Sequence, residues 1–413
     1  MKIWIVSVGE PLPTDGENTR LRRMGNFAQC AVDHGHVVEW FSVSFDHYGK
    51  KQRCNADLDI NINSNYIMHL LYVNSYKRNV SLKRVYHHVS AARRIYHKMK
   101  ELEKPDFMIL SMEPLEVSYI SSKFAYECSI PFVIDVRDLW PEIYYEVVPD
   151  RLKIFLKPYI ALNSYILKYS MSKATAIIGL SKGFLEYGLK YAGRKARTAD
   201  AVFPISYPNY NYAEYKPLFS KYWSSYGLKQ NDFIAVFFGN FGKQFDFNAI
   251  IDASHRLSDY PDIKLILCGT GEQGDVLKNK AAKNVIFPGW IEKEQILSLA
   301  ANASIGLAPY IDSMNYTLNT PNKFGEYLSA GLPILTRVSG IMEDLLLEFD
   351  CGCRYTDGES LARFILRYRN DPPLLRSHSR NARKLYDKHF NGDTAYQKLL
   401  EYCIMICKEY GAG

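Results

Sequence analysis

Residues 319–335 read Asn-Thr-Pro-Asn-Lys-Phe-Gly-Glu-Tyr-Leu-Ser-Ala-Gly-Leu-Pro-Ile-Leu, and they contain the start of a helix, its end and the beginning of a strand. Thr320 is a favourable N-cap, and Pro321 suits the first helical position. Gly331 and Pro333 are typical of a helix end. The apolar pair that follows begins a strand, so the stretch predicts one helix-to-strand step of a layered α/β fold.

The same stretch has the properties of a pocket for an anionic ligand. A helix N-terminus offers unpaired backbone amides and a partial positive charge, to which Lys323 adds a full charge. One turn further on, Glu326 could accept hydrogen bonds from ribose hydroxyls, so a nucleoside diphosphate would satisfy all of these groups. Taken alone, the stretch also fits an ordinary capped helix with a solvated lysine and glutamate. The groups expected to hold such a ligand are those of Asn319, Thr320, Pro321, Asn322, Lys323 and Glu326.

Length and composition predict a globular chain of two or more domains. The chain has 413 residues, of which 47% are hydrophobic and 23% charged, enough to bury sizeable cores. Its eight cysteines are scattered and the N-terminus enters a strand-like run directly, so we expect reduced thiols, no signal peptide and a cytoplasmic protein. No apolar run approaches the roughly 18 residues of a membrane-spanning helix.

The order of apolar runs predicts two doubly wound domains with parallel sheets. Short apolar runs alternate with longer amphipathic ones, and the alternation starts again after a proline-rich stretch. We expect ligand to bind where the strand ends of both domains face a central cleft. The expected strands are 2–8, 37–43, 106–111, 131–136, 174–179, 233–239, 263–268, 284–287, 303–308 and 333–336. The expected helices of the first half are 20–34, 81–103, 114–127, 151–171 and 181–191.

These elements divide the chain into four parts. We expect an N-terminal Rossmann-like domain at 1–195, a linker at 196–216 and a C-terminal Rossmann-like domain at 217–393. The last part, 394–413, is a helix that packs back across the domains. Its apolar face is predicted from Tyr396, Leu399, Leu400, Cys403 and Ile404.

Glycine loops follow several of the predicted strands. In the second half, Gly239, Asn240, Gly242 and Lys243 follow one strand, and Gly269 with Gly271 follow the next. Glycines there let the backbone approach a phosphate, with Lys243 as a counter-charge. Trp290 follows a third strand, whose end could offer amide edges to a base. In the first half, a polar loop at 9–20 contains Gly16 and Arg20 and precedes a helix.

Several other site types are disfavoured. The loops lack the GxGxxG spacing of a dinucleotide site and the Walker pattern. Asp57-Leu58-Asp59 imitates a metal-binding DxD motif but lies in polar surroundings far along the chain from the donor half, and Cys351 and Cys353 lack partner ligands, so no metal site is expected. His36, His87 and His88 are expected to be structural or surface groups rather than bases.

The net charge of +7 lies in the first half of the chain. Residues 1–195 hold 27 Lys and Arg against 20 Asp and Glu, whereas residues 196–413 hold 24 of each. Residues 77–104 alone carry nine basic and two acidic groups, with tyrosines between them. Such a surface could meet nucleic acid or an anionic bilayer, or be a solvated helix of a mildly basic protein. The segment 151–168 is basic, aromatic and interrupted by Pro158, which is expected to bend or split it, and it suits either an interfacial helix or a core helix.

The order of these motifs resembles glycosyltransferase family 4, whose members have the GT-B fold and transfer sugars from nucleotide donors with retention of configuration. The resemblance covers nearly the whole chain. The run Arg137-Asp138-Leu139-Trp140-Pro141 is similar to the subgroup that makes bacterial surface polysaccharides, such as O-antigen, capsule or lipopolysaccharide, on polyprenyl carriers.

The resemblance implies roles for particular residues. Glu326 matches the glutamate that binds the donor ribose, whereas Leu318 stands where a first glutamate is usual. Asn240 replaces the usual arginine after the first strand of the C-terminal domain, and Phe245 falls near the position of a lysine. A metal-independent front-face reaction is expected, in which Lys323 stabilises the leaving diphosphate and the donor phosphate takes the acceptor's proton.

The acceptor side is expected at the end of a central N-terminal strand. Arg137 and Asp138 are the candidate catalytic and acceptor-contacting residues, together with Gly16 and Arg20, although Asp138 could instead be an N-cap and Arg137 a structural ion pair. The implied donor is a UDP-linked sugar, such as an N-acetylated hexosamine or a deoxyhexosamine, and no cofactor is required. The implied acceptor is a polyprenyl-diphosphate-linked saccharide at the inner face of the plasma membrane, where basic groups bind anionic lipid.

Two alternatives remain open from the sequence. One is a nucleotide-sugar epimerase of the same fold, which would interconvert free nucleotide sugars without an acceptor. The other is a basic nucleic-acid-binding protein, against which the lack of a recognised nucleic-acid module counts, so that no nucleic-acid partner is expected.

Overall fold

The computed structural model describes residues 1–16, 19–148 and 150–411. The chain divides into two compact units: unit 1 is Met1–Pro204 together with Thr394–Gly413, and unit 2 is Ile205–Asp393. Residues 196–216, predicted to be a linker, are therefore divided between the units at Pro204 and Ile205. The residues on either side of this point belong to ordered elements, because 201–202 pair with the sheet of unit 1 and 212–215 form a helix of unit 2.

Unit 1 is built on an eight-stranded sheet in the order β10-β9-β8-β7-β1-β2-β6-β5, with a separate β3–β4 hairpin. All neighbouring strands of the sheet are parallel except β5, which is antiparallel to β6. The strands are β1 (Lys2–Val6), β2 (Val37–Val43), β3 (Phe45–Asp46), β4 (Lys51–Gln52), β5 (Leu58–Asn63), β6 (Tyr66–Leu71), β7 (Phe107–Ser111), β8 (Phe132–Val136), β9 (Ala176–Gly179) and β10 (Ala201–Val202).

The helices of unit 1 follow its strands. They are α1 (Arg23–Asp33), α2 (Leu82–Glu101), α3 (Leu115–Glu127), α4 (Tyr144–Val147), α5 (Lys153–Lys173) and α6 (Lys182–Ala192). Each predicted helix forms, although α1 begins three residues later than expected. The prediction that Pro158 could split its helix is wrong, because α5 continues without a break through this residue.

The central strands form where the sequence has continuous apolar runs. Side chains of β7, β8 and β9 are buried at every position, as expected for parallel strands covered by helices on both faces. The sequence analysis missed β5 and β6. In β5 the burial alternates between half-buried and exposed positions, because this strand lies at the edge of the sheet.

Unit 2 contains a six-stranded, entirely parallel sheet in the order β13-β12-β11-β14-β15-β16. All five predicted strands form, and the short β16 was missed. The strands are β11 (Phe233–Phe238), β12 (Ile263–Cys268), β13 (Val285–Gly289), β14 (Ile305–Ala308), β15 (Ile334–Thr336) and β16 (Gly352–Arg354). The helices are α7 (Tyr212–Tyr215), α8 (Phe219–Trp223), α9 (Asn248–Arg256), α10 (Gly274–Lys280), α11 (Lys293–Asn302), α12 (Met314–Thr317), α13 (Asn322–Ser329), α14 (Ile341–Phe349), α15 (Gly358–Asn370) and α16 (Pro372–Leu385).

The last helix returns the chain to unit 1. α17 (Gly392–Tyr410) has its first two residues in unit 2 and the rest in unit 1. It completes the core of that unit with side chains that are almost fully buried, whereas Ile404, predicted on the same face, is only partly buried. The buried side chains are Tyr396, Leu399, Leu400, Cys403 and Ile406.

Two further expectations concern membranes and thiols. Within the described residues, none of the helices is long and apolar enough to cross a membrane. All eight cysteines are free thiols.

Candidate functional site

The helix predicted at the opening stretch is α13, and it begins one residue later than expected. Its N-cap is Pro321, with extended backbone angles, so the prediction that Thr320 is the N-cap and Pro321 the first helical residue is wrong. Thr320 instead donates its N–H to Asn319 Oδ1 at 2.8 Å. The first turn therefore starts with the amides of Asn322 and Lys323, which are groups that an anion can use.

Three glycine loops converge at the carboxyl edge of the unit 2 sheet. Gly239 donates its N–H to Cys268 O at 2.8 Å, and Gly269 donates to Gly289 O at 2.7 Å. Gly269 has φ +146°, and a Cβ there would collide with the carbonyl of Gly239, so only glycine fits. Gly271 has φ +156°, and a Cβ there would collide with the side-chain oxygen of Asn240. The loops after β11, β12 and β13 are thus joined into one backbone surface.

Lys323 extends from the first turn of α13 to these loops. Its Nζ lies 2.6 Å from the position that a Cβ on Gly239 would occupy. The ammonium also lies over the rings of Phe245 at 4.8 Å and Phe237 at 5.1 Å. A cation held over aromatic faces beside glycine backbone is suited to a diphosphate.

Glu326 is buried one turn further along α13, with 3% of its surface exposed. Its Oε1 accepts a hydrogen bond from the hydroxyl of Tyr207 at 3.2 Å. Burial, with the charge of Glu326 adding to it, raises the pKa of Tyr327 and of Tyr310. Tyr327 also fixes α13 on the sheet, because its hydroxyl donates to Leu307 O at 3.1 Å and accepts from the N–H of Phe238 at 3.2 Å. Sequence reasoning missed Tyr207, which carries no motif.

Of the remaining predicted donor residues, Lys243 and Trp290 are exposed, whereas Gly242 is buried. Lys243 lies on the surface, with 86% of its side chain exposed and its Nζ 3.8 Å from Glu272. Gly242 accepts a hydrogen bond from Gln273 Nε2 at 2.7 Å. Trp290 is 69% exposed just after β13. Lys323 is therefore the lysine whose ammonium lies beside Gly239, whereas the ammonium of Lys243 lies at the surface near Glu272.

A second polar cluster lies at the carboxyl edge of the unit 1 sheet, around Arg137. This guanidinium contacts Glu10 through Nη1 and donates to Ser111 Oγ at 2.7 Å through Nη2. Beneath it, Arg23 makes a two-bonded ion pair with the fully buried Asp135, at 2.7 and 3.1 Å. Arg137 is thus held by carboxylates, as its ion-pair interpretation predicted.

Glu113 belongs to the same cluster and was missed from the sequence. Its Oε1 accepts the backbone N–H of Asp138 at 3.1 Å, and its Oε2 lies 3.9 Å from Arg137 Nε. Burial, reinforced by the negative charge of Asp138 and opposed by Arg137, raises the pKa of Glu113 to about 8. About 17% of its side chain remains exposed, so a ligand can reach it. The signal was available, since Glu113 follows an apolar strand just as Asp138 does.

The polar loop after β1 contributes Glu10 to this cluster. Gly16 has φ +148° and accepts the N–H of Thr19 at 3.1 Å. Arg20 precedes α1, and it is Arg23 of that helix that pairs with Asp135. Two residues of the predicted loop, 17 and 18, lie outside the described part of the chain.

The two aspartates of Asp57-Leu58-Asp59, which resemble a DxD motif in sequence, form ion pairs. Asp57 pairs with Arg94 at 2.9 Å, and Asp59 pairs with Lys98 at 2.7 Å and with His69 Nδ1 at 2.7 Å. Across residues 1–16, 19–148 and 150–411, no group of three or more His, Cys, Asp or Glu side chains is arranged to hold a metal ion.

Part of the chain is similar in sequence to known proteins. Residues 232–371, which lie within unit 2, match the family described as Glycosyl transferases group 1. The chain is 24% identical over 166 residues to an alpha-monoglucosyldiacylglycerol synthase of Acholeplasma laidlawii, and this alignment covers 38% of the chain and 39% of that relative.

Similarity to solved structures extends over nearly the whole chain. The sucrose-phosphate synthase of Thermosynechococcus elongatus aligns with a TM-score of 0.74 at 14% identity, covering 99% of both chains. HepE of Anabaena, solved in complex with UDP-glucose, aligns with a TM-score of 0.63 at 15% identity, covering 97% of this chain and 98% of its own. The fold is therefore that of the GT-B glycosyltransferases, with a Glycosyl transferases group 1 domain in its second half.

Proposed function

We propose that this protein is a retaining, metal-independent glycosyltransferase that moves a sugar from a UDP-linked donor to a polyprenyl-diphosphate-linked saccharide. Unit 2 would bind the donor and unit 1 the acceptor. The convergence of Lys323, the start of α13 and the glycine loops at Gly239 and Gly269 is the observation that carries this proposal. The match of residues 232–371 to a glycosyltransferase family and the UDP-glucose complex of HepE support the same assignment.

The donor would lie along α13. Its diphosphate would accept hydrogen bonds from the first amides of the helix and face Lys323, while Glu326 would hold the ribose hydroxyls. The sugar would lie beside Asn319 and Thr320, since Leu318 offers no carboxylate. As the bond from sugar to phosphate breaks, negative charge grows on the diphosphate, and a fixed cation with fixed amides stabilises it without reorganisation.

The acceptor would bind at the Arg137 cluster. Arg137 offers a guanidinium suited to phosphate or hydroxyl oxygens, and Asp138 and Glu113 offer carboxyl groups beside it. Retention follows in this proposal from attack on the same face that the diphosphate leaves, with the donor phosphate taking the acceptor's proton. The relative from Acholeplasma laidlawii, whose name describes a glucosylated diacylglycerol, supports a lipid-linked acceptor.

An acceptor carried by a membrane lipid requires peripheral association with the inner face of the plasma membrane. The exposed basic side chains of α2 and the segment before it would provide roughly 1 kcal/mol each near an anionic surface. Not all of the basic groups counted in the sequence remain available, because Arg94 and Lys98 pair with Asp57 and Asp59.

The donor site can be tested by calorimetric titration with UDP-glucose and UDP-N-acetylglucosamine in the presence of EDTA. We expect one of these nucleotide sugars or a related one to bind, and Lys323→Gln to weaken that binding by at least tenfold, which corresponds to about 1.4 kcal/mol. Lys278→Gln is the matched control, because it neutralises an exposed lysine of the same unit away from the loops. Binding of no nucleotide sugar, or equal loss in both variants, would contradict the proposal.

Turnover separates this function from its alternative. Release of UDP that depends on a polyprenyl-diphosphate-linked acceptor is expected, and it should persist in EDTA. Interconversion of nucleotide sugars without an acceptor would instead assign an epimerase.

A further inference from the structure

Unit 1 contains an apolar groove that is separate from the Arg137 cluster. It is formed by α2, α3 and α5, where α3 packs against both of the other helices, and it encloses a cavity of about 310 Å³. That volume lies near the lower end of small-molecule pockets, roughly 300 Å³. Its apolar lining includes Val89, Ala92, Tyr119, Ile120, Leu162 and Ile166.

The apolar faces of α2 and α5 continue beyond the groove into solvent. Leu82, at the start of α2, is 87% exposed and lies on the face of the lining residues, since Val85 and Val89 follow at helical spacing. Phe155, near the start of α5, is 76% exposed and precedes the lining residue Tyr159 by one turn. These ends face the carboxyl edge of the sheet, because helices that connect parallel strands begin where a strand ends.

Aromatic contacts connect the groove with the Arg137 cluster. The hydroxyl of Tyr159, in the groove, lies 3.1 Å from the hydroxyl of Tyr144. The ring of Tyr144 packs on Trp140, with 4.6 Å between ring centroids, and the Arg84 guanidinium lies 5.8 Å from the centroid of Trp140. Trp140 in turn follows Arg137 in the chain by three residues. A molecule with a charged head at Arg137 and Arg84 would have a continuous aromatic path into the groove.

Basic side chains lie at the groove and at its aromatic end. Arg93 is exposed and lines the groove, and Arg84 lies near the ring of Trp140. The acidic Glu116 also lines the groove, with its carboxylate 3.5 Å from His88 Nδ1. A bilayer surface alone explains exposed side chains such as Leu82 and Phe155, whereas a concave apolar groove suits an occupant that can leave the plane of the membrane. A single hydrocarbon chain attached to a diphosphate has this shape and charge.

We propose that the groove between α2, α3 and α5 binds the hydrocarbon chain of the lipid-linked acceptor and so places its diphosphate beside Arg84, Trp140 and Arg137. This inference rests on the proposed function, because it takes a lipid-linked acceptor as the substrate. It adds a chain-binding site in unit 1, which no donor contact requires.

Binding of two diphosphates that differ only in chain length tests the groove. In calorimetry on the full chain, farnesyl diphosphate is expected to bind at least tenfold more tightly than isopentenyl diphosphate, since each buried methylene contributes roughly fourfold. The comparison cancels any binding of the diphosphate itself, including at the donor site.

Two substitutions separate the groove from the general surface. Leu162→Asn places a polar group on the lining and is expected to reduce the preference for farnesyl diphosphate at least fivefold without changing isopentenyl diphosphate binding. Leu347→Asn is the matched control, because Leu347 is 62% exposed and Leu162 is 59% exposed. Ala92→Leu, which fills the groove, provides a second test with the same expected direction.

Three results of the binding experiments would overturn the proposal. They are equal affinities for the two diphosphates, an equal effect of Leu162→Asn and Leu347→Asn, and displacement of farnesyl diphosphate by short-chain phosphatidylglycerol below its critical micelle concentration, which would assign the groove to bilayer lipid. Self-association that Leu162→Asn abolishes would also overturn it, by assigning the groove to a second copy. UDP-sugar binding in the same variants reports separately on the proposed function, because the groove can fail its test while nucleotide-sugar binding is retained.

Discussion

Glu113 and Arg137 show how neighbouring charges set the chemistry of single residues in unit 1. Arg137 contacts Glu10 and has two further carboxylates, Glu113 and Asp135, 3.9 Å from its Nε. These contacts hold the guanidinium in one orientation. They also offset the cost of burying the carboxylates, which would be large if the carboxylates were unpaired. Glu113 receives only part of this compensation, since Asp138 faces it as well. The pKa of Glu113 is therefore raised, so its protonated form persists to a higher pH than that of an exposed glutamate.

Glu113→Gln is expected to change the pH dependence of stability. The folded-state pKa is raised, so the unfolded chain ionises first as pH rises, and the wild type should lose stability between about pH 5 and the folded pKa near 8. The loss attributable to Glu113 is at most about 1.4 kcal/mol per pH unit. Relative to wild type, the variant should therefore gain stability as pH rises, as measured by urea unfolding at pH 5, 6, 7 and 8.

The control for this experiment is Glu127→Gln, at a carboxylate with half of its side chain exposed at the end of α3. The pH-dependent change in stability relative to wild type should be larger for Glu113→Gln than for this control. A Glu113→Gln curve parallel to that of the wild type would contradict the raised pKa.

At the scale of elements, the proposed donor site depends on how closely loops after adjacent parallel strands approach one another. In the sheet, β12 lies between β13 and β11, and because the three strands are parallel their carboxyl ends lie at one edge. Close approach of Gly269 to Gly239 then brings backbone, rather than side chains, to the surface that faces α13. The hydroxyl of Tyr327 fixes the position of α13 on the sheet, because it accepts a hydrogen bond from the N–H of Phe238 in β11 and donates one to Leu307 O in β14.

Gly269→Ala is expected to disrupt this arrangement. Its Cβ would collide with Gly239 and its φ of +146° disfavours any side chain, so we expect a loss of about 1–3 kcal/mol in unfolding free energy. Nucleotide-sugar affinity should fall as well, because the loop after β11 must move. Urea unfolding and calorimetric titration measure the two effects.

Gly274→Ala is the matched control for the loop experiment. A Cβ there meets Phe241 at an ordinary 3.5 Å, and its φ is not in the left-handed region. If both variants unfold alike and bind nucleotide sugar alike, the loops do not need the close approach of Gly269.

At the scale of the whole molecule, the C-terminal segment is a structural part of unit 1 although it follows unit 2 in the chain. Five side chains of α17 are buried in the unit 1 core. Each large apolar side chain contributes roughly 1.5–3 kcal/mol when buried, so together they approach the net stability of a domain, about 5–15 kcal/mol.

Truncation after Asp393 is therefore expected to unfold unit 1 selectively. Calorimetric scans of the truncated chain should lose one transition, while a remaining transition should still move to higher temperature with a nucleotide sugar that binds unit 2. Truncation after Tyr410, which removes only the last three residues, should leave the scan unchanged. Retention of both transitions after removal of α17 would show that unit 1 does not need the helix.

The sequence by itself determined the alternation of strands and helices and therefore the fold class. Continuous apolar runs identify buried parallel strands, and caps and glycines locate helix ends to within a few residues, since both are local properties of the chain. Edge strands such as β5 escaped prediction because their side chains are half exposed. Lys323 and Glu326, which we propose to contact the donor, were also predicted from local signals, because a helix start followed by charges is visible along the chain.

Only the tertiary structure decided which charges meet. Arg23, Glu10 and Glu113 join Arg137 because the ends of parallel strands far apart in sequence lie at one edge of a sheet, and Tyr207 reaches Glu326 for a similar reason. The same three-dimensional packing leaves Lys243 on the surface, pairs Asp57 and Asp59 with basic side chains, and opens the groove between α2, α3 and α5. Pairing and burial depend on distances across the fold, and residue spacing along a chain does not specify those distances.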